Sequence, residues 1–289
     1  MGIKRKIKHT ISFLLHGEPK QVTANVVSLG SSELLKNRCA LITGGTSGIG
    51  YSIAEAFLKA GISAVVITGR NQTKIDETCN KLSKYGKCFG FVMDNTQVNA
   101  FAGIFEKMRL VLKENNIEKI DILVNNAGVL GATLPNADEA TYDAVLNTNL
   151  KGVFFLSQLI GLYYKENQIK GNILNIASSS SLRPAQSAYT ISKWGIRGLT
   201  LGLAKSLAPY GITVNGVAPG PTATPMLKKE GDKNIVHEGI PLGRYVMPEE
   251  IANMAVFLVS DMGRSILGDI VYMTGGAGVL GFEDMVYKF

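Results

Sequence analysis

The sequence predicts an α/β fold, a parallel sheet held between two layers of helices. Three observations carry that reading. The runs Cys39-Ala40-Leu41-Ile42 and Ala64-Val65-Val66-Ile67-Thr68 are apolar at nearly every position, as expected of strands buried on both faces. Segments of helical pattern alternate with such runs along the chain, the order that builds parallel sheets. The first run feeds a glycine-rich turn and then a helical pattern, so strand, turn and helix follow without a gap.

At 289 residues and 46% hydrophobic, the chain can bury one large core, and a single domain is expected over 36–289 with an extension at 1–35. The extension begins Met1-Gly2-Ile3-Lys4-Arg5-Lys6-Ile7-Lys8 and supplies much of the net charge of +7. Lys4 to Leu15 reads either as a basic amphipathic segment touching a membrane surface or a partner, or, preferred, as an extension packed back on the domain. Val22 to Leu29 reads as a short strand. The apolar patch Ile11-Ser12-Phe13-Leu14-Leu15 is too short for a secretion signal, and no run approaches the ~20 residues a bilayer span needs. Three cysteines, Cys39, Cys79 and Cys88, fit a reducing cytoplasm. The basic balance suits phosphorylated cofactors, anionic lipid or an acidic carrier protein. Nucleic acid is not expected, because no basic stripe is interleaved with aromatics.

After the first strand, Thr43-Gly44-Gly45-Thr46-Ser47-Gly48-Ile49-Gly50 opens a helix carrying Ile53, Ala54, Phe57 and Leu58. Glycines there let backbone approach a diphosphate while the helix N-terminus offers N–H donors, so Gly44, Thr46, Ser47, Gly48, Ile49 and Gly50 are the candidate phosphate cradle of a Rossmann-type, doubly wound three-layer sandwich. The second strand ends in Gly69-Arg70-Asn71, about 20 residues on, where an acid would hold a ribose 2′-hydroxyl. No acid is present, and the Arg70 guanidinium suits a 2′-phosphate, which points to NADP(H) over NAD(H). A solvated loop charge is the other reading of Arg70. A helix over Gln72–Lys84 and a strand over Cys88–Met93 follow. Asp94-Asn95-Thr96 is expected to cap the helix through Lys113, with Asp94 alternatively touching the adenine amino group.

The fourth strand breaks into Asn125-Asn126-Ala127-Gly128, small and amide residues that admit a ligand or make an ordinary tight turn. Asp138 is expected to cap one long helix to about Lys165; Asn149 within it either faces inward to bind a water or only bends the helix. A fifth strand, Asn172–Ile176, opens into Ala177-Ser178-Ser179-Ser180-Ser181, and a helix is expected over Ala188–Ala208. The sixth strand ends in Pro219-Gly220-Pro221-Thr222-Ala223-Thr224. The segment 222–247, long and rich in Gly, Pro and charge, is read as a mobile lid over substrate, with His237 within it as a surface or structural residue. Pro248 starts the last helix, to Ser260, and Ile270–Met273 is the last strand.

Tyr189-Thr190-Ile191-Ser192-Lys193 places a phenol and an ammonium one helical turn apart on one face. At ~4 Å and an effective dielectric of ~20 a unit charge is worth about 4 kcal/mol, enough to lower a tyrosine pKa by roughly 3 units. Tyr189 is thus a candidate general acid/base, although ten tyrosines among many lysines also give such a pair by chance.

In their order and spacing, Thr43 to Gly50, Asn125-Asn126-Ala127-Gly128, Asn149, Ser178, Tyr189-x3-Lys193 and Pro219-Gly220-x3-Thr224 resemble the classical short-chain dehydrogenase/reductases over roughly residues 36–277. The resemblance implies a seven-stranded parallel sheet with helices on both faces. It implies Tyr189 as acid/base, Lys193 lowering its pKa and holding the nicotinamide ribose, Ser178 orienting the carbonyl and Asn149 holding a proton-relay water. It also implies cofactor contacts at Asn126, Ala127, Gly128, Pro219, Gly220, Thr222 and Thr224, and no metal. Two features depart from the family pattern. Ser178 lies eleven residues before Tyr189 rather than thirteen, which opens the serine assignment to Ser179 or Ser180, and Thr274-Gly275-Gly276 stands where an acid usually precedes the glycines.

The expected activity is NADPH-dependent hydride transfer to a ketone, resembling the 3-oxoacyl-[acyl-carrier-protein] reductase type, on a small carbonyl or alcohol substrate that could be carrier-bound. Arg183, Arg197 and Lys205 are candidates for carrier docking. Alternatives are a hydroxysteroid or sugar-alcohol dehydrogenase and a nucleotide-sensing module without turnover; the last is disfavoured because Tyr189 and Lys193 are both kept. An extended-type epimerase would need a Gly-x2-Gly-x2-Gly turn and a longer C-terminal half. Helices led by Asp138 and Ala188 are expected to form the dimer face of a homotetramer or homodimer, and the apolar tail from Val279 to pack in a subunit interface.

Overall fold

The computed structural model describes residues 33–227 and 234–284. The readings of 4–15 and 22–29, part of the segment 222–247 and the last five tail positions lie outside the described residues.

Seven strands, β1 Cys39–Ile42, β2 Ala64–Gly69, β3 Cys88–Val92, β4 Ile122–Asn125, β5 Asn172–Ile176, β6 Thr213–Pro219 and β7 Ile270–Met273, form one sheet in the order β3-β2-β1-β4-β5-β6-β7. All neighbours are parallel. The α-helices among the described residues are α1 Gly48–Lys59, α2 Gln72–Leu82, α3 Phe101–Glu114, α4 Glu139–Leu146, α5 Gly152–Glu166, α6 Ala188–Leu207 and α7 Pro248–Val259. Alternate strand residues explain the uniform apolar runs. Ala40, Ile42, Val65, Ile67, Val124 and Leu174 pack toward α1 and α7, while Cys39, Leu41, Ala64, Val66, Leu123 and Ile173 pack toward α3, α5 and α6. Each fully buried aliphatic side chain contributes about 1.5–3 kcal/mol, so both faces of the sheet are stabilised by the same strands.

Polar ties fix the layers. Asn125 Nδ2 donates to Ser157 Oγ and to Asn175 Oδ1, both at 2.9 Å, and Asn175 Nδ2 donates to Thr200 Oγ1 at 2.9 Å, joining β4 and β5 to α5 and α6. At the amino-terminal rim Arg38 ion-pairs with Asp121, bonds Asn172 Oδ1 and donates to the Val259 carbonyl at 3.2 Å, while Asp121 Oδ1 accepts from Cys39 N at 2.8 Å.

Two expectations are corrected. The helix that Asp138 caps, by accepting from Thr141 N at 2.8 Å, does not run unbroken to Lys165. A π-turn at Asn147–Lys151 separates α4 from α5, with the Asn149 side chain turned to the backbone of Val129. Asp94 does not cap α3. Its Oδ1 accepts from Thr96 N at 2.9 Å, a local turn that satisfies the carboxylate two residues on, and α3 begins at Phe101 after a short 3-10 turn. Thr274, which stands where the family usually has an acid, makes the turn with its hydroxyl, Oγ1 accepting from Gly276 N at 3.1 Å.

The described parts of 222–247 are not an open loop. Thr222 pairs with Val246 and Val236 with Arg244, and the Arg244 guanidinium bonds both oxygens of Glu250 on α7 at 3.0 and 2.8 Å.

Candidate active site

The order of strands reverses between β1 and β4, and the crevice at their carboxyl ends is where an open α/β sheet holds a ligand. Thr43, the first residue past β1, sews the two ends together. Its Oγ1 accepts from Asn126 N and Ala127 N, each at 3.0 Å, while Asn126 Nδ2 donates to the carbonyls of Thr43 and Gly44 at 2.9 and 3.0 Å. Gly48 turns with a φ of 54°, in the left-handed region that favours glycine. Gly50 packs so closely that a Cβ would stand 2.4 Å from both Gly44 O and Asn126 Nδ2. Ser47, at the start of α1, makes no side-chain cap, so no side chain competes for the helix's first N–H groups.

A cavity of about 720 Å³ runs from this turn across the sheet. Its walls include Gly44, Thr46, Ser47, Gly48, Ile49, Arg70, Asp94, Asn126, Ala127, Gly128, Ser178, Tyr189, Lys193, Pro219, Gly220, Thr222 and Thr224. Two predicted residues are not on the wall: Gly50, whose role is the close packing of α1, and Asn149. Asn149 is 1% exposed and its amide is committed to protein. Oδ1 accepts from Val129 N at 2.8 Å, and Nδ2 donates to Val129 O at 2.9 Å and Ser192 Oγ at 3.3 Å.

At one end Arg70 is exposed and has no polar partner among the described residues. Beside Asp94, Asn95 is buried with an Nδ2 that has no hydrogen-bond partner among the described residues, a donor left for a ligand.

Toward the other end, α6 is capped by Ser187 Oγ, which accepts from Thr190 N at 3.1 Å, and it carries Tyr189 and Lys193 one turn apart. The Lys193 ammonium is buried; it donates to the Ile176 carbonyl at 2.8 Å and lies 5.6 Å from the centroid of the Tyr189 ring. Burial pulls the Lys193 pKa down to about 8. Burial pushes the Tyr189 phenol up, opposed by a hydrogen bond with the Ser178 hydroxyl. The expected lowering of Tyr189 by Lys193 is therefore corrected: the ammonium is aimed at the end of β5, and the desolvation that penalises its own charge also penalises the phenolate. Of the three serines in question, Ser178 is the one whose hydroxyl opposes the rise of the phenol.

Met226, Leu227, His237, Tyr245 and Asp284 also line the cavity. His237 packs edge-on against Tyr245, ring centroids 4.8 Å apart, and so stands in the cavity wall. Arg183 is corrected as a docking residue. It is 1% exposed, and its Nη2 donates to both oxygens of Asp284 at 2.9 and 2.8 Å. Arg197 stacks on Trp194 and Lys205 is exposed. Thr43, Asn95 and the Ile176 carbonyl were missed. Position directly after a strand that opens onto a glycine turn could have flagged Thr43; a backbone carbonyl leaves no sequence signal.

Residues 44–278 match the family model described as enoyl-(acyl carrier protein) reductase. The chain is a short-chain dehydrogenase/reductase. This dehydrogenase/reductase is 35% identical over 249 residues to 3-oxoacyl-[acyl-carrier-protein] reductase of Thermotoga maritima, covering 84% of this chain and 98% of that protein. It is 35% identical over 255 residues to 3alpha-hydroxysteroid dehydrogenase of Mediterraneibacter gnavus, with coverages of 84% and 98%. Its fold matches the crystal structure of 3-ketoacyl-(acyl-carrier-protein) reductase from Brucella melitensis complexed with NADH, with a TM-score of 0.74, 28% identity, and 84% and 98% of the two chains covered. As a member of the family it is an oxidoreductase of CH–OH or ketone groups that uses a nicotinamide cofactor. The residues present fit that cofactor: the uncapped α1 N-terminus for a diphosphate, the orphaned Asn95 amide beside Asp94, and a buried ammonium beside a phenol. No helix among the described residues is long and apolar enough to cross a membrane, and no cluster of metal-ligating side chains occurs among them.

Proposed function

We propose that the protein is an NADPH-dependent reductase of a ketone, of the 3-oxoacyl-thioester type. The observation that carries this reading is one continuous cavity with an unpaired Arg70 at one end and the Ser178–Tyr189–Lys193 group toward the other. When bound, nicotinamide supplies hydride from its C4 to a carbonyl carbon. Tyr189 delivers the proton to the carbonyl oxygen. Ser178 holds the oxygen beside the phenol. Lys193 binds ribose hydroxyls from the position it holds under Ile176. Asn149 acts through Val129, fixing the chain that follows Gly128. The described parts of segment 222–247 line the cavity with Met226, Leu227, His237 and Tyr245, and the segment serves as a lid over the substrate.

Arg70 selects the 2′-phosphate. Arg70→Ala should weaken NADPH binding by about 10-fold to 100-fold, a loss of one or two charge-assisted hydrogen bonds, and leave NADH nearly unchanged. Equal losses for the two cofactors, measured by fluorescence titration, would remove the argument.

A second reading, a hydroxysteroid dehydrogenase, is favoured by the Mediterraneibacter gnavus relative. The decisive assay follows NADPH oxidation with panels of 3-oxoacyl thioesters, steroid ketones and sugar ketones. Tyr189→Phe should lower kcat/KM on the preferred panel by about 10²–10⁴-fold, and an intact rate would displace Tyr189 as the acid.

The assembly belongs to the same reading. On α6, Ile191, Trp194 and Leu201 are exposed on a face shared with Gly198, and on α5 Phe155 and Leu162 are exposed two turns apart. These faces pair two subunits across a dyad, with the exposed Val279, Leu280 and Phe282 of the tail at a second contact of a tetramer.

A further inference from the structure

Arg183 and Asp284 are each almost wholly buried, 101 positions apart, and the only carboxylate bonded to Arg183 among the described residues is that of Asp284. Asp284 also lines the cavity that holds Tyr189 and Ser178, and its carboxylate joins that wall to the Arg183 guanidinium. The approach of the tail to its surroundings is close at two further points. A Cβ on Gly278 would meet Arg183 Nε at 2.6 Å, and a Cβ on Gly239 would meet the Glu283 carbonyl oxygen at 2.8 Å. Phe282 lies 5.7 Å from the guanidinium. Arg183 is itself fixed from behind, its carbonyl accepting from Trp194 Nε1 at 2.9 Å, while its Nε and Nη1 have no partner among the described residues.

We propose that the Arg183–Asp284 ion pair fixes the C-terminal tail as the end wall of the substrate cavity, so that Asp284 is a specificity-determining residue that limits the size of the group attached to the ketone. This rests on the cavity being the substrate site of a ketone reductase. Among the described residues Asp284 is the one carboxylate that compensates this buried guanidinium, whose Nε and Nη1 have no partner there, so the ion pair ties the tail to the chain that follows β5. A wall made this way opens as a unit when the carboxylate is lost. Because one methylene in an apolar pocket is worth about 10-fold to 200-fold in discrimination, moving such a wall changes chain-length preference steeply.

The test compares wild type with Asp284→Ala and Asp284→Asn, using short- and long-chain 3-oxoacyl N-acetylcysteamine thioesters with NADPH. The ratio of kcat/KM for long over short chains should rise about tenfold or more in Asp284→Ala and less in Asp284→Asn. Binding of the same thioesters, read by thermal shift with NADPH present, should give the same ordering without turnover. Amide hydrogen exchange over 277–284 should quicken in Asp284→Ala and return toward the wild-type rate when acetate is added to occupy the place beside Arg183. If wild type reduces none of the thioesters, the functional reading fails, and the exchange and binding measurements still decide the wall. Wild-type exchange in Asp284→Ala, exchange that acetate does not slow, or an unchanged long-to-short ratio in binding each overturns the proposal.

Discussion

At the residue scale the decisive group is Lys193. Its pKa is held at about 8, below the ordinary 10.5, by burial. Between those values the unfolded chain binds more protons than the folded one, so the stability lost to this residue is complete below pH 8 and is regained as the pH climbs toward 10.5. At 1.36 kcal/mol per unit the effect is about 3 kcal/mol. Lys193→Met should therefore remove this rise: its stability relative to wild type should fall by about 3 kcal/mol between pH 7.5 and pH 10.5, read from urea unfolding at the two pH values. The same variant should lose about 10²–10⁴-fold in kcat/KM, a residue kept at the expense of stability because the site needs its charge. That Tyr189 and Lys193 share one wall of the cavity was legible because their spacing follows a helical turn, and Ser178 because it stands at the end of β5. The direction of the Tyr189 shift was not legible, because spacing gives the distance between two side chains but not the dielectric around them or the carbonyl that captures the amine.

At the scale of elements, α6, which carries Tyr189 and Lys193, is tied to β5 by Asn175 and Thr200 in the buried ladder that also holds Asn125 and Ser157. Thr200→Val keeps the shape but leaves the Asn175 amide without its acceptor. It should lower stability by about 1–3 kcal/mol, seen as a reduced urea midpoint at unchanged slope. Strand positions were readable to within a residue because both faces of the sheet are buried, leaving uninterrupted apolar runs such as Cys39–Ile42. The break between α4 and α5 was not readable. Asn147 and Asn149 signal weak helix propensity, but the π-turn depends on Val129, which is far off in sequence and supplies the partners of Asn149. The capping role given to Asp94 failed for a similar reason, since a carboxylate can satisfy the nearest N–H before a helix begins.

At the scale of the molecule, the proposed assembly rests on the exposed face of α5 and α6. Phe155→Asp places a charge in the middle of that face and should shift a tetramer or dimer toward monomer in light scattering, with the monomer retaining helical circular dichroism. A wild-type protein that is monomeric at micromolar concentration would end that reading. The doubly wound architecture was visible in the alternation of strands and helices, while the tail's return to Arg183 was hidden, because no local pattern tells a docking arginine from a buried one.

The clasp of Arg38 with Asp121, Asn172 and the Val259 carbonyl lies at the rim of the sheet opposite the glycine turn. Rigidity is thereby anchored at one edge and chemistry hosted at the other, with strands as the spacers between. Changes to the loops that frame the ligand can accumulate without loosening the anchor, so new substrate preferences are open to this scaffold at little risk to its folding.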